Sequence, residues 1–178
     1  MNKFSQPLHI DFFDSNFCNK LKIETDNILS KFHSGVDILP EYDYTYYTNI
    51  LFYDTVDKII PEIHSFIKTI NADVIAPIIG FVPPNKPMGV HTDGYNCSTK
   101  ILLPIADESP LNFYSNRTDN ILIETAPIKL FSPLIFNTNQ WHGGILSDQW
   151  RINLQIMIST PYDVIKDRVE NNTLFKLQ

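Results

Sequence analysis

The chain has 178 residues, of which 43% are hydrophobic and 19% are charged, and its formal net charge at pH 7 is −6. This length predicts a single domain, residues 1–178, with a core that needs no disulfide or metal to hold it together. No basic cluster is present to neutralise phosphates, so we expect neither a nucleic-acid partner nor an anionic membrane surface.

The cysteines and the N-terminal residues give an expectation for the cellular compartment of the protein. Cys18 and Cys97 stand alone, without the spacing of a disulfide framework or a structural zinc site, which favours a reducing compartment. The first residues lack a signal-peptide pattern, and no window approaches eighteen apolar residues. The sequence therefore predicts a soluble, cytoplasmic protein with no membrane partner.

The first 70 residues predict a helical support. Apolar residues recur at helical spacing from Ser15 to His33, Ser15 can cap the start, and Gly35 follows the end. Residues 36–50 predict a loop and a short strand rich in tyrosine, in which Tyr42, Tyr44, Tyr46 and Tyr47 either pack half-buried or line a pocket. A second helix is predicted over residues 53–70, kinked or broken by Pro61.

The spacing of apolar residues shortens to two after Asn71 and stays there. Short strands alternate with Pro, Gly, Asn and Asp turns, which predicts a mainly β protein with flanking helices: a double-stranded β-helix (jelly roll, cupin-like) with the two N-terminal helices packed on one sheet. Residues 71–160 would form this core, and residues 161–178 a short helix or extension. The predicted strands before the last two are 74–82, 88–91, 98–105, 111–114, 121–131 and 134–136.

The stretch from Phe136 to Ser159 predicts the last two strands. From Trp150 to Ile158 every second residue is apolar, while the intervening face carries an arginine, two amides and a hydroxyl. We expect Ser147-Asp148 to turn a hairpin that places His142, Arg151 and Asn153 on one face. Such a face is either plainly solvated or a site for a metal and an anion.

The metal hypothesis depends on three residues. His91 and Asp93, two apart in MGVHTDGYN, point to the same face of an extended segment, and a jelly roll can bring His142 across to them. Two imidazoles and one carboxylate leave open positions on an octahedral ion, which is typical of non-haem Fe(II). Arg151 lies nine residues beyond His142, where its fork is suited to one carboxylate of a dicarboxylate.

These residues match a known pattern. The motif H-x-D … H … R appears as His91-Thr92-Asp93, His142 and Arg151, and the sequence resembles the Fe(II)- and 2-oxoglutarate-dependent dioxygenase superfamily, in particular its small prolyl-hydroxylase-like or aspartyl-hydroxylase-like members. The resemblance covers about residues 75–160. It implies that His91, Asp93 and His142 are the catalytic iron ligands, and that Arg151 binds the distal carboxylate of the 2-oxoglutarate cosubstrate.

The resemblance also implies an activity. The protein would use Fe(II), 2-oxoglutarate and dioxygen to hydroxylate a small molecule, an amino acid or a peptide side chain. Many members carry a hydroxyl residue two places after the arginine, where this chain has Asn153, which still offers a donor to the cosubstrate. Two alternatives stay open: a cupin-type metalloenzyme that does not use 2-oxoglutarate, and a non-catalytic jelly-roll binding protein.

Further residues are candidates by position only, because a one-residue slip in a strand reverses its face. Those flanking the metal ligands are candidates for substrate contact: Tyr95, Trp141, Lys86 and Met88. Polar residues of the predicted strands are candidates for cosubstrate contact: Thr99, Lys100, Asn112, Tyr114 and Asn137.

Overall fold

The structure is a computed structural model that describes residues 3–33, 43–45, 48–51, 56, 60–85, 88–94 and 96–176. Three helices flank the sheets: α1 (Ser15–His33), α2 (Glu62–Thr69) and α3 (Tyr162–Glu170). The strands are β1 (Ser5–Pro7), β2 (Asp43–Thr45), β3 (Thr48–Leu51), β4 (Val74–Val82), β5 (Met88–His91), β6 (Thr99–Ala106), β7 (Leu111–Tyr114), β8 (Leu122–Ala126), β9 (Leu134–Asn137), β10 (His142–Gly144) and β11 (Arg151–Ile158).

These strands form two sheets. The major sheet has the order β1-β9-β6-β11-β4-β3-β2, and the minor sheet has the order β5-β10-β7-β8. All the strand pairs are antiparallel. Residues of both sheets line one cavity of about 700 Å³. The predicted mainly β architecture with flanking helices is confirmed.

The outer face of the major sheet is covered by helices. In β11 the side chains of Ile152, Leu154 and Ile156 are at most 1% exposed and belong to a core cluster with helical residues such as Leu21 and Phe66. Each such side chain contributes about 1.5–3 kcal/mol by leaving water. The alternate residues of β11 face the cavity instead. The apolar alternation therefore predicted the helix-covered face correctly.

A smaller core lies between the sheets and includes Phe4, Leu102, Phe113 and Phe136. At its edge, Glu124 of β8 accepts hydrogen bonds from the backbone N–H of Lys3 (2.7 Å) and Phe4 (3.0 Å) and from the hydroxyl of Ser5 (2.9 Å). This carboxylate ties the start of the major sheet to the edge of the minor sheet. The sequence pattern does not predict strand β1.

The starts of the two N-terminal helices differ in detail from the prediction. Helix α1 has the predicted bounds, but Asp14 is the capping residue, because its Oδ1 accepts from the Phe17 N–H at 2.8 Å. Helix α2 begins at Glu62, immediately after Pro61; Val56 is also helical but Ile60 is not, so the predicted break at Pro61 is observed. Gly35 and most of residues 52–59 lie outside the described residues.

The predicted hairpin at Ser147-Asp148 is wrong. β10 ends at Gly144 and pairs with β5 and β7 in the minor sheet, whereas β11 begins at Arg151 and pairs with β4 and β6 in the major sheet. The residues between the two strands cross from one sheet to the other. None of the helices in the described part of the chain is long and apolar enough to cross a membrane.

Candidate metal centre

Two paired strands of the minor sheet position the three predicted ligands. His91 is the last residue of β5, Asp93 follows it by two, and His142, the first residue of β10, is the register partner of His91. The backbone N–H of Asp93 donates to the Thr138 carbonyl at 3.2 Å, which holds the segment after β5 against the chain before β10. One nitrogen or oxygen of each ligand lies within 4.8 Å of the others. The predicted convergence is therefore observed.

Backbone carbonyls orient both imidazoles. The Nδ1 atom of His91 lies 2.7 Å from the Gly89 oxygen, and that of His142 lies 2.8 Å from the Gln140 oxygen. Since a carbonyl oxygen only accepts hydrogen bonds, the neutral form of each ring carries its proton on Nδ1 and keeps a free lone pair on Nε2. Both rings are thus fixed in the tautomer that binds a metal through Nε2.

The two oxygens of Asp93 have different surroundings. Oδ1 accepts from the ammonium of Lys100 at 2.8 Å. Oδ2 is buried without a hydrogen-bond partner among the described residues, and it lies 3.5 Å from the Nε2 atom of His142. When His142 is neutral these two atoms are both acceptors, and a cation between them satisfies both. This arrangement fits a metal ion.

Electrostatics set the charge state of the cluster. Burial alone would raise the pKa of Asp93, but the polar contact with His142 and the charge of Lys100 hold that pKa well below its usual range. Burial, and next the neighbouring His142, lower the pKa of His91. Near pH 7 the site therefore presents a carboxylate and a neutral His91, the forms that metal binding requires.

Two nitrogens and one oxygen on one side of an ion suit first-row metals such as Fe(II). The side chain of His142 is 2% exposed and that of Asp93 13%, whereas that of His91 is 41% exposed. The cluster is therefore closed by protein on the His142 side and open towards the cavity and solvent on the His91 side. The residues present fit a metal with open coordination positions, and their assignment as ligands stays a prediction.

Arg151 projects into the cavity from the major sheet and is 8% exposed. Its Nε donates to Oδ2 of Asp107 at 3.3 Å, and its Nη2 donates to the Ile145 carbonyl at 2.6 Å. A Cβ added to Gly144 would collide with the guanidinium, so the second glycine of the WHGG segment makes room for it. The fork is thus held in place in the cavity wall.

Asn153 and Gln155 continue this cavity-facing row of β11. The Oδ1 atom of Asn153 accepts from Nε2 of Gln155 at 2.6 Å, which leaves the amide nitrogen of Asn153 as the donor of that side chain. His142, Arg151 and Asn153 do meet at one cavity, but from opposite sheets and not along one hairpin face.

Some of the remaining candidate residues line the cavity and others do not. Cavity-lining residues among them are Met88, Lys100 and Trp141. Candidates in the described chain that are not among the lining residues are Thr99, Asn112, Tyr114 and Asn137. Tyr95 and Lys86 lie outside the described residues, as do Tyr42, Tyr46 and Tyr47.

Sequence reasoning placed Gln155 on the polar face of β11 but did not single out other polar residues of the cavity wall, among them Asp107, Ser109, Arg117 and Asn120. Asp107 follows β6 in a left-handed backbone conformation, with φ of 69°. Burial raises its pKa, but hydrogen bonds from Ser109 and the charge of Arg151 bring that pKa below its usual range. Neither Asp107 nor Arg117 has a characteristic spacing from the other site residues, so no sequence signal pointed to them.

Comparison with known proteins gives a structural likeness only. No family model matches the chain. No curated protein sequence matches it either.

Several solved structures share its fold at low sequence identity. A prolyl-4-hydroxylase from Pseudomonas putida has a TM-score of 0.53 at 10% identity, with 88% of this chain and 92% of that chain covered. The non-haem α-ketoglutarate-dependent carbocyclase SnoK from nogalamycin biosynthesis has a TM-score of 0.57 at 10% identity, with coverage of 81% and 75%. A 2OG-Fe(II) oxygenase family oxidoreductase from Burkholderia pseudomallei has a TM-score of 0.53 at 8% identity, with coverage of 87% and 84%. The resemblance predicted from the sequence is therefore confirmed for the fold: this chain has the fold of the 2OG-Fe(II) oxygenases.

Proposed function

We propose that this protein is an Fe(II)- and 2-oxoglutarate-dependent oxygenase that hydroxylates a small molecule, an amino acid or a peptide side chain. In this proposal the two sheets are the halves of a double-stranded β-helix. His91, Asp93 and His142 bind the iron, and Arg151 and Asn153 bind the distal carboxylate of 2-oxoglutarate. The fold of the neighbouring structures and the donor set of the cavity support the assignment.

One observation carries the metal proposal. Oδ2 of Asp93 lies 3.5 Å from Nε2 of His142 and is buried without a hydrogen-bond partner among the described residues. In neutral His142, Nδ1 donates to the Gln140 carbonyl, so Nε2 and Oδ2 are both acceptors. A divalent ion between these atoms satisfies both lone pairs at once.

The cosubstrate proposal depends on the depth and fixation of Arg151. A guanidinium that is 8% exposed and held by Asp107 and Ile145 presents a fixed fork to the cavity. Charge-assisted bonds to a carboxylate are strong in such a site, and the amide nitrogen of Asn153 adds a neutral donor beside it. A dicarboxylate with one end at this fork extends across the cavity towards the metal centre on the opposite sheet.

Each residue then has a definite task. When bound, Fe(II) would activate dioxygen, the oxidant, and 2-oxoglutarate would supply two of the electrons that reduce it. His91, Asp93 and His142 orient the open coordination positions towards the cavity. Lys100 keeps Oδ1 of Asp93 occupied, which leaves Oδ2 for the ion. The apolar side chains of Leu102, Leu111 and Phe136 in the cavity wall limit access of water.

The fold does not choose the substrate. Among the structural neighbours one is named as a prolyl hydroxylase and another as a carbocyclase, so the same architecture hosts different reactions. The substrate class has to come from the residues of this chain that line the cavity.

The deciding experiment is an anaerobic titration with Fe(II) followed by 2-oxoglutarate. We expect saturable binding of one iron and then the weak visible charge-transfer band of the chelate. His142→Ala should abolish both signals. His9→Ala is the matched control, because His9 is an exposed histidine that pairs with Asp11 outside the cavity, and it should leave both signals unchanged.

Iron binding without any effect of 2-oxoglutarate would instead favour the cupin-type alternative. Absence of iron binding would favour the non-catalytic one.

A further inference from the structure

We propose that the substrate carries one anionic group, a carboxylate or a phosphate monoester, on a largely apolar body, and that Arg117 binds this group at the rim of the cavity. The inference rests on the proposed function, because it concerns the substrate of that same site. It follows from the balance of charge along the cavity wall.

Two ion pairs account for most of the charged side chains that line the cavity. The ammonium of Lys100 lies 2.8 Å from Asp93, and the guanidinium of Arg151 lies 3.3 Å from Asp107. Arg117 also lines the cavity, but it forms no hydrogen bond or ion pair with any residue in the described part of the chain. The described wall thus has one more cation than it has carboxylates, in a chain whose overall charge is negative.

The proposed occupants leave this excess in place. A divalent iron and a doubly charged 2-oxoglutarate cancel each other. With both bound, Arg117, which is exposed at the rim of the cavity, still has no carboxylate partner among the described residues. A guanidinium pairs best with planar or tetrahedral oxyanions, because its N–H groups match them two at a time. A substrate with a single anionic group completes the balance.

Arg117 also lies at the end of the minor sheet that the substrate must approach. Residues 115–121 connect β7 to β8 at the end where the N–H of Tyr114 donates to the Trp141 carbonyl at 2.8 Å, next to His142. The fork of Arg151 lies at the opposite end, beneath Gly144, which pairs with Leu111. Cosubstrate and substrate cations are therefore on opposite sides of the metal centre.

The loop that carries Arg117 is fixed by its own hydrogen bonds. Oδ1 of Asn116 accepts from the N–H groups of Thr118 (2.8 Å) and Asp119 (2.7 Å), and its amide donates to the Asp119 carboxylate at 2.9 Å. The N–H of Ser115 donates to the Ile121 carbonyl at 2.9 Å and closes the loop. Asp119, the nearest acid in sequence, is thus occupied by Asn116, and Arg117 stays available to a ligand.

The rest of the wall sets the character of the substrate body. Most of the uncharged side chains that line the cavity are apolar, and they include Met88, Leu111, Ile128 and Trp141. Such a surface favours an apolar or aromatic skeleton and contributes affinity through desolvation. The expected substrate is therefore a small organic acid or phosphate ester and not a sugar or a polycation.

The test compares ligands that differ in charge but hardly in shape. Protein loaded anaerobically with Fe(II) and saturating 2-oxoglutarate is titrated with benzoate and benzamide, with phenylacetate and phenylacetamide, and with phenyl phosphate, and binding is followed by ligand-observed NMR. At least one anion should bind about tenfold or more tightly than its neutral counterpart, because one charge-assisted hydrogen-bonded pair changes the affinity by about that factor. Comparison of benzoate with phenyl phosphate distinguishes carboxylate from phosphate.

Arg117→Gln should abolish this preference for anions, while Fe(II) and 2-oxoglutarate titrate as in the parent protein. Arg168→Gln is the matched control, because Arg168 lies on α3 and donates to the Asn71 carbonyl away from the cavity, and it should keep the preference. Equal binding of acids and amides, no binding of any probe, or a preference that survives Arg117→Gln would each overturn the proposal. If iron fails to bind, the proposed function is wrong, and the same titration of the metal-free protein judges Arg117 separately.

Discussion

The ammonium of Lys100, from the major sheet, lies 2.8 Å from Oδ1 of Asp93, which follows the first strand of the minor sheet. Both side chains are nearly buried, at 9% and 13% exposure. The pair joins the two sheets at the metal centre and neutralises the carboxylate when no ion is present. An ion that binds Asp93 must therefore share this carboxylate with an existing cation.

Lys100→Met should destabilise the metal-free protein by about 1–3 kcal/mol, because it leaves a nearly buried carboxylate without its donor. Metal binding should recover part of this loss, since the ion supplies the missing positive charge. Thermal unfolding with and without Mn(II) measures both effects. Lys129→Met, at a lysine outside the cavity, is the control and should change neither. An equal loss of stability in both forms would contradict a shared carboxylate.

Arg151→Ala should weaken 2-oxoglutarate binding by about ten- to a hundredfold, because one bidentate charge-assisted contact is lost. Fe(II) affinity should stay nearly unchanged, and Arg151→Lys should recover only part of the loss. Both are measured by anaerobic titration, with the melting temperature recorded alongside because Asp107 loses its partner. Unchanged 2-oxoglutarate affinity in folded, iron-loaded Arg151→Ala would refute the assignment of Arg151.

Gly144→Ala should lower 2-oxoglutarate affinity by about tenfold or more, because the new methyl group displaces the guanidinium of Arg151 from its position. The metal ligands are not touched, so iron affinity should not change. Gly89→Ala is the matched control, since a Cβ there has no heavy atom within 4 Å. If both alanine variants behave alike in the titration, the contact between Gly144 and Arg151 is irrelevant to cosubstrate binding.

Metal affinity should fall with acid, but only at a lower pH than an ordinary histidine would set. The folded protein holds the pKa of His91 below its usual value near 6.5, chiefly by burial. Protons therefore begin to compete with the metal at His91 only as pH falls below that value, and affinity should be level above it. Co(II) titration from about pH 5 to 8 tests this. Affinity that already falls steeply with acid above about pH 6.5 would contradict this prediction.

Local patterns in the sequence predicted much of the fold. Strict alternation from Arg151 to Ile156 identified both the helix-covered face and the cavity face of β11, because burial on one side of a strand leaves a period of two. The same patterns could not choose strand partners. β10 is three residues long and pairs with strands distant in sequence, and a polar Ser-Asp pair after it looks like a tight turn whether or not one forms.

The candidate site, too, could be predicted from local patterns only in part. The H-x-D spacing of His91 and Asp93 is local, so the sequence predicts it well. Asp107 and Arg117 reach the cavity only because β6 and the connection between β7 and β8 end beside it, which is a property of the packed sheets. Pairing of Arg151 with Asp107, across 44 residues, leaves no periodic trace in the chain.

His91 and His142 belong to the minor sheet and Arg151 to the major sheet, so under the proposed function this division would act as a molecular ruler for the diacid. In the proposed enzyme, the packing of Leu102 and Phe136 between the sheets sets the span from metal to fork. A shorter diacid such as oxaloacetate falls short of one end, and a longer one such as 2-oxoadipate must bend. Exchanging a single side chain in that inner layer would retune which 2-oxo diacid the protein accepts, without altering any atom that binds its two ends.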